Sequence, residues 1–105
     1  MDVITEKTTS TITITCTDEN GTPVTPMSLT YSIYDVKSGT AIIETETITP
    51  TSPNHDLVIS SEDNRILDSN NKEETRVITT SWLYDGDKKE NAEYYYKIEN
   101  LKHIT

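Results

Sequence analysis

The stretch from Arg76 to Ile98 reads RVITTSWLYDGDKKENAEYYYKI and predicts a long β-hairpin. Its halves alternate between two faces, which is typical of strands with one side in a core. Asp85-Gly86 predicts the turn, because both residues tolerate positive φ. In the first strand one face carries Ile78, Thr80, Trp82 and Tyr84, and the opposite face carries Val77, Thr79, Ser81 and Leu83. In the second strand one face carries Ala92, Tyr94, Tyr96 and Ile98, and the opposite face carries Glu93, Tyr95, Lys97 and Glu99.

Shorter strands are predicted upstream of this hairpin, because β-branched and aromatic residues recur there at alternate positions. Turn chemistry separates them: Asn20-Gly21, the Pro23–Pro26 stretch, Ser38-Gly39 and the loop 50–54. The predicted strands are Thr11–Thr17, Ser28–Val36, Thr40–Thr49 and Asp56–Ser60.

Two irregular features are also predicted. Ile42 and Ile48 are out of phase with Ile43, which a β-bulge would reconcile. Ser60 or Ser61 is suited to capping a single helical turn.

Six or seven short strands with regularly spaced turns indicate an all-β fold, an immunoglobulin-like sandwich of about seven antiparallel strands. The 105 residues fit one domain, 1–105, in which residues 1–10 form a loose N-terminal arm. Leu101 is predicted to close one end of the sandwich. Hydrophobic residues make up only 32% of the chain, which suits the thin core between two sheets.

The charge balance, 9 basic against 18 acidic residues, argues against binding to nucleic acid or to anionic membranes. Cys16 is the single cysteine, so no internal disulfide is expected, and its alternating context predicts a buried, inert thiol. The start Met1-Asp2 has no secretory pattern. We therefore expect synthesis and folding in a reducing cytoplasm.

Catalytic chemistry would need a base, for which the chain offers His55, in a predicted loop beside Asp56, and His103 in the C-terminal tail. Neither accompanies a serine in a nucleophile-elbow context. A surface histidine beside an aspartate is common in proteins without catalysis. The sequence therefore predicts a protein that is not an enzyme, with no catalytic residues.

Metal binding is the nearest alternative. Zinc would need clustered cysteine and histidine. Calcium needs oxygen ligands, which several loops supply, although the Asp68 segment lacks the EF-hand pattern at Lys72 and Glu73. Solvated turns are the simpler interpretation, so no metal or cofactor is predicted. The loop residues that offer side-chain oxygens are Asp18, Glu19 and Asn20; Glu62 and Asp63; Asp68, Asn70 and Glu73; Asp85 and Asp87.

Exposed aromatic residues are the remaining candidates for a binding surface. Because Tyr94, Tyr95 and Tyr96 are consecutive in a strand, Tyr95 must point away from the core. The strand order decides whether Tyr34, Tyr84 or Trp82 lies beside it. Such a patch indicates either a protein interface or cross-strand pairing that stabilises the sheet.

The run Thr13–Asp35, TITCTDENGTPVTPMSLTYSIYD, joins a strand to a Gly-Thr-Pro-Val turn and a second strand that ends in Tyr-Asp. It resembles small Ig-like virion structural proteins of tailed bacteriophages and prophages. The resemblance extends to Asp56–Ile59, Asn64–Leu67, Arg76–Thr79 and YYYKIENL at Tyr94–Leu101. The chain lacks the paired cysteines of ordinary immunoglobulins.

This resemblance implies a viral protein located in the virion and assembled in the host cytoplasm. The expected role is capsid decoration, or else a piece of the neck, tail or fibre. Its partners would be phage structural proteins or further copies of itself, and the resemblance implies no active-site residues. Two other classes remain open: a free adhesive or carbohydrate-binding module, with acidic loops and outer aromatics as its site, and an accessory domain of an enzyme.

Overall fold

Seven β-strands make up the regular structure of residues 2–100, the part of the chain that the computed structural model describes. This confirms the all-β prediction. Within residues 2–100 there is also no helix of the length and apolarity needed to cross a membrane. The strands are β1 Asp2–Thr5, β2 Ser10–Thr15, β3 Ser28–Asp35, β4 Ala41–Ile48, β5 Asn54–Ile59, β6 Glu73–Tyr84 and β7 Lys88–Glu99.

The strands form two sheets, one of five strands in the order β1-β7-β6-β3-β4 and one of two, β2-β5. The inner faces of the two sheets share one hydrophobic core, to which Ile14 and Ile59 contribute from the small sheet and Ile33 and Ile78 from the large one. The predicted alternation in β2, β5, β6 and β7 is confirmed, because more buried and more exposed residues alternate along each strand and the residues predicted to share a face lie on the same side.

The β6–β7 hairpin is the longest element, with paired residues from Glu73 opposite Glu99 to Tyr84 opposite Lys88. Asp85 and Gly86 at its turn both have positive φ, at 48° and 87°. The predicted turn is therefore confirmed. The twelve residues of each strand explain the 50 × 21 × 21 Å shape of the domain, since such strands span about 40 Å.

One strand pairing differs from the antiparallel prediction. Strand β1, inside the stretch 1–10, runs parallel to β7, with Val3 opposite Lys97. Parallel neighbours need a long connection. Here the rest of the domain supplies it, because β1 and β7 come from opposite ends of the chain.

The predicted bulge in β4 is confirmed. The β3–β4 register shifts between Tyr31, opposite Glu46, and Ile33, opposite Ile43, so that β4 carries an extra residue there. The predicted helical turn after β5 is a hydrogen-bonded turn. In it the Asn64 N–H donates to the Ser60 carbonyl at 3.2 Å and the Asp63 N–H to the Ser60 hydroxyl oxygen at 3.2 Å.

Candidate protein-binding surface

The five-stranded sheet has one face away from the core, which we call the outer face. At its centre, Val77 of β6 pairs with Tyr34 of β3 on one side and with Tyr95 of β7 on the other. Paired residues point to the same side of a sheet. Tyr34, Val77 and Tyr95 therefore form one continuous row across three strands.

The outer face carries most of the exposed large hydrophobic side chains in residues 3–100. Four of the six most exposed ones lie on it or at its margin: Val3, Val36, Leu83 and Tyr95, with exposed fractions of 52%, 49%, 37% and 47%. Val36 lies at the end of β3, where its N–H donates to the Thr75 carbonyl at 2.9 Å. Exposed apolar area concentrated on one face is typical of a protein-binding surface.

Charge is distributed unevenly between this face and the rest of the acidic chain. The outward positions of β3 from Ser28 to Tyr34, and of β6 from Thr75 to Leu83, carry only neutral side chains. On β7 the face does carry charges, and at the end of the sheet the Lys97 ammonium contacts the Glu73 carboxylate at 3.1 Å. Depletion of charge at the centre of a surface is a feature of protein interfaces.

The strand order settles which aromatic residues accompany Tyr95. Tyr34 lies in the same row, whereas Trp82 and Tyr84 face the core and are each 4% exposed. The Trp82 Nε1–H donates to the Thr17 carbonyl at 2.9 Å. The outer aromatic group in the described residues is therefore Tyr34 and Tyr95.

Tyr96 faces the opposite way from Tyr95, as alternation predicted. It is 1% exposed, and its hydroxyl donates to Asn64 Oδ1 at 3.1 Å. Burial raises the pKa of Tyr96 to about 12. Asn64 is itself fully buried and donates to the Thr8 carbonyl at 2.8 Å, so it connects the β5–β6 turn to the start of β2.

In two of the acidic loops an aspartate binds the backbone of its own loop. Asp18 Oδ1 accepts the N–H groups of Asn20 and Thr22 at 2.9 and 3.0 Å, and Asp68 Oδ1 accepts the Asn70 N–H at 3.0 Å. Within residues 2–100, no three histidine, cysteine, aspartate or glutamate side chains are grouped as metal ligands. The Asp18 and Asp68 loops therefore form structured turns in which an aspartate binds backbone N–H groups, whereas Glu19 pairs with the Lys88 ammonium at 2.9 Å.

The histidine prediction was wrong in its placement. His55 lies inside β5 and not in a loop, because β5 begins at Asn54, and it points to the same side as the buried Leu57. Asp56 points away from it and accepts the Thr13 hydroxyl at 2.8 Å. Cys16 is buried as predicted, and burial raises the pKa of its thiol. Leu101 and His103 lie outside the described residues.

The sequence interpretation missed a buried ionic cluster on the inner face. Arg76 is fully buried; its Nε donates to Asp35 at 3.1 Å and its Nη2 to Glu74 at 2.6 Å. Nη2 also donates to the Arg65 carbonyl at 3.0 Å. The sequence held one signal of this, because Arg76 lies two residues before the inward-facing Ile78 and therefore shares its face.

Both carboxylates of this cluster are held ionised. Burial alone would raise the pKa of Asp35, but hydrogen bonds from Ser38 and Arg76, together with the Arg76 charge, lower it below its usual value. Burial opposes ionisation of Glu74 in the same way. Backbone N–H groups of Leu67 and Asp68, the Asn71 amide and the Arg76 charge lower the pKa of Glu74.

We expect the stability of the protein to fall below about pH 4.5 through these two groups. A carboxyl whose folded pKa is depressed stabilises the fold at pH values above its unfolded pKa. This contribution is lost as the pH falls through the folded pKa. Urea denaturation at pH 7, 5, 4 and 3 measures the effect.

A double variant, Asp35→Asn with Glu74→Gln, is the matched comparison. It should be less stable at pH 7, yet lose less further stability between pH 5 and pH 3 than the wild type. Parallel pH profiles for the two proteins would contradict the assignment of acid sensitivity to this cluster.

Comparison of the chain with family models, with curated proteins and with solved structures finds no match to any of them. The outer face and the buried cluster must therefore be interpreted from their own chemistry.

Proposed function

We propose that the chain is a non-enzymatic structural subunit of a tailed-bacteriophage virion, a capsid decoration protein or other accessory subunit with an Ig-like domain. It binds neighbouring protein subunits through the outer face. The resemblance in Thr13–Asp35 and Tyr94–Leu101 supports the class of protein. The exposed hydrophobic side chains collected on one face support the mode of binding.

The strand order supports the Ig-like part of this proposal. In one sheet of an immunoglobulin variable domain, strand F lies between strands C and G, and strand C′ lies beyond C. In the other sheet, strand B pairs with strand E. Here β6 lies between β3 and β7, β4 lies beyond β3, and β2 pairs with β5. The chain departs from antibody domains in its single cysteine and in carrying its tryptophan, Trp82, on β6.

The observation that carries the proposal is the row Tyr34–Val77–Tyr95 within a neutral centre. Tyrosine is enriched among residues that dominate binding energy, because its ring covers a large area with few rotatable bonds. A sheet face built in this way favours a flat protein neighbour.

Quantitative mass spectrometry of purified phage particles tests the function. We expect the protein in particles at a fixed copy number. Hundreds of copies would indicate capsid decoration, and a small number matching tail symmetry would indicate the neck, tail or a fibre. Absence from particles would overturn the proposal and favour the free adhesive module, which a glycan array would then test.

Replacing Tyr95 by lysine should reduce the amount of this protein on particles at least about tenfold, because it replaces one of the two aromatic rings of the apolar row by a charge. Val58→Lys is the matched control, since Val58 is 62% exposed and lies on the outside of the small sheet. Equal loss for both variants would contradict binding through the outer face.

A further inference from the structure

We infer that the neighbour on the outer face is a second copy of this chain, packed face to face about a two-fold axis that crosses the strands at Tyr95. The inference shares with the proposed function only the assumption that the outer face is a binding surface. Two properties of that face carry it: the order of its charges and the neutral centre.

The charges of β7 are self-complementary about Tyr95. Glu93 and Lys97 lie two residues before and after it, and all three point outward, opposite Thr79, Thr75 and Val77 of β6. A two-fold axis across the strands at Tyr95 reverses the strand direction in the second copy. Each Glu93 then faces the Lys97 of the other copy, about 6.6 Å along the strand from the Tyr95 position.

The outward positions of β6 and β3 next to the axis also avoid like charges when one copy faces the other. About Val77, Thr75 of one copy faces Thr79 of the other, and Glu73 faces Ser81. About Tyr34 on β3, Ser32 faces Val36. A closed two-fold interface requires this kind of self-complementarity.

The net charge of −9 disfavours self-association through most of the surface. The outer face is different, because its centre is neutral and its β7 charges alternate in sign. Two copies can therefore meet there without opposing their acidic loops.

The overlap of the two faces is limited, because the axis at Tyr95, Val77 and Tyr34 lies towards one end of the strands. It covers nine residues each of β6 and β7, Glu73–Ser81 and Asn91–Glu99, with only the end of β3 beside them. At about 3.3 Å per residue and about 4.8 Å between strands, this gives roughly 300–450 Å² per copy. A stable interface of standard size buries about 800 Å² per partner, so we expect a weak, concentration-dependent dimer. Sheets that pack face to face lie about 10 Å apart, a separation that the tyrosine and valine side chains can fill.

A charge-swap experiment on the purified chain tests the inference. Light scattering coupled to size exclusion, and sedimentation velocity at up to about 100 µM, should show a dimer for the wild type. Glu93→Lys and Lys97→Glu should each weaken it at least about tenfold, because like charges then face each other across the axis. The double variant Glu93→Lys with Lys97→Glu should restore it.

Two results would overturn the inference: a wild type that stays monomeric throughout this range, or a dimer equally weak in the double variant and the single variants. Circular dichroism melting of all four proteins shows whether they are folded alike. Tyr95→Lys should abolish the dimer, and Val58→Lys should leave it intact. Particle association is measured separately, so a monomer that still joins particles contradicts only the second-copy inference.

Discussion

Replacing Arg76 by alanine should destabilise the protein by about 3–5 kcal/mol, because it leaves Asp35 and Glu74 buried without their cation. Asp35 is 4% and Glu74 is 6% exposed, so water cannot take the place of the guanidinium. The loss is a large share of the roughly 5–15 kcal/mol that a small domain has in total. Equilibrium denaturation in urea at pH 7 measures it.

Arg65→Ala is the matched control. Arg65 is exposed, and its Nη1 donates to the Glu62 carbonyl at 3.0 Å on the surface of the turn. Removing a surface contact of this kind should cost no more than about 0.5 kcal/mol. Similar losses for the two variants would contradict a structural role for the buried cluster.

A second comparison separates the charge of Arg76 from its volume. Arg76→Met keeps much of the side-chain length but leaves both carboxylates unpaired, so it should remain strongly destabilised at pH 7. Adding Asp35→Asn and Glu74→Gln to Arg76→Met should recover part of the loss, because the uncompensated buried charges are gone. A triple variant weaker than Arg76→Met alone would contradict this account.

The cluster shows where reasoning from the sequence ends. Alternation places Arg76 on the inward face of β6, in phase with Ile78 and Trp82, and a buried arginine needs carboxylate partners. Glu74 is two residues away and could have been chosen. Asp35 could not, because its place beside Arg76 depends on the long-range pairing of β3 with β6.

Local patterns predicted the strands well, because each strand has one face in the core. The β6–β7 hairpin, its Asp85-Gly86 turn and the β4 bulge all follow from residues close together in the chain. The parallel place of β1 beside β7 does not, since nothing in Asp2–Thr5 specifies a partner at the other end of the chain. His55 was misplaced because boundaries of short strands are weakly encoded.

Predicting the outer face requires both the alternation along each strand and the order of the strands in the sheet. Alternation along β7 correctly predicted that Tyr95 points away from the core. Its neighbours depended on strand order, which brought Val77 and Tyr34 into its row and left Trp82 and Tyr84 on the inner face. A surface assembled from three strands cannot be read from any one of them.

Replacing Trp82 by alanine should cost about 3–5 kcal/mol and lower the melting temperature by about 15 °C or more. The indole is 4% exposed, and its N–H binds the Thr17 carbonyl, so it joins β6 to the chain that follows β2. Alanine removes the ring, leaves a cavity and breaks that connection. Differential scanning calorimetry and urea denaturation measure the change.

Trp82→Phe divides this loss between packing and hydrogen bonding. It keeps an aromatic ring but removes the N–H that binds Thr17, so we expect a cost of about 1–2 kcal/mol, well below that of alanine.

Leu83→Ala is the positional control, because Leu83 is the next residue along β6 and points to the outer face with 37% exposure. Its loss should be smaller, since much of the side chain already contacts water. A cost for Leu83→Ala equal to that for Trp82→Ala would contradict the assignment of the two faces of β6, on which both the core and the binding surface depend.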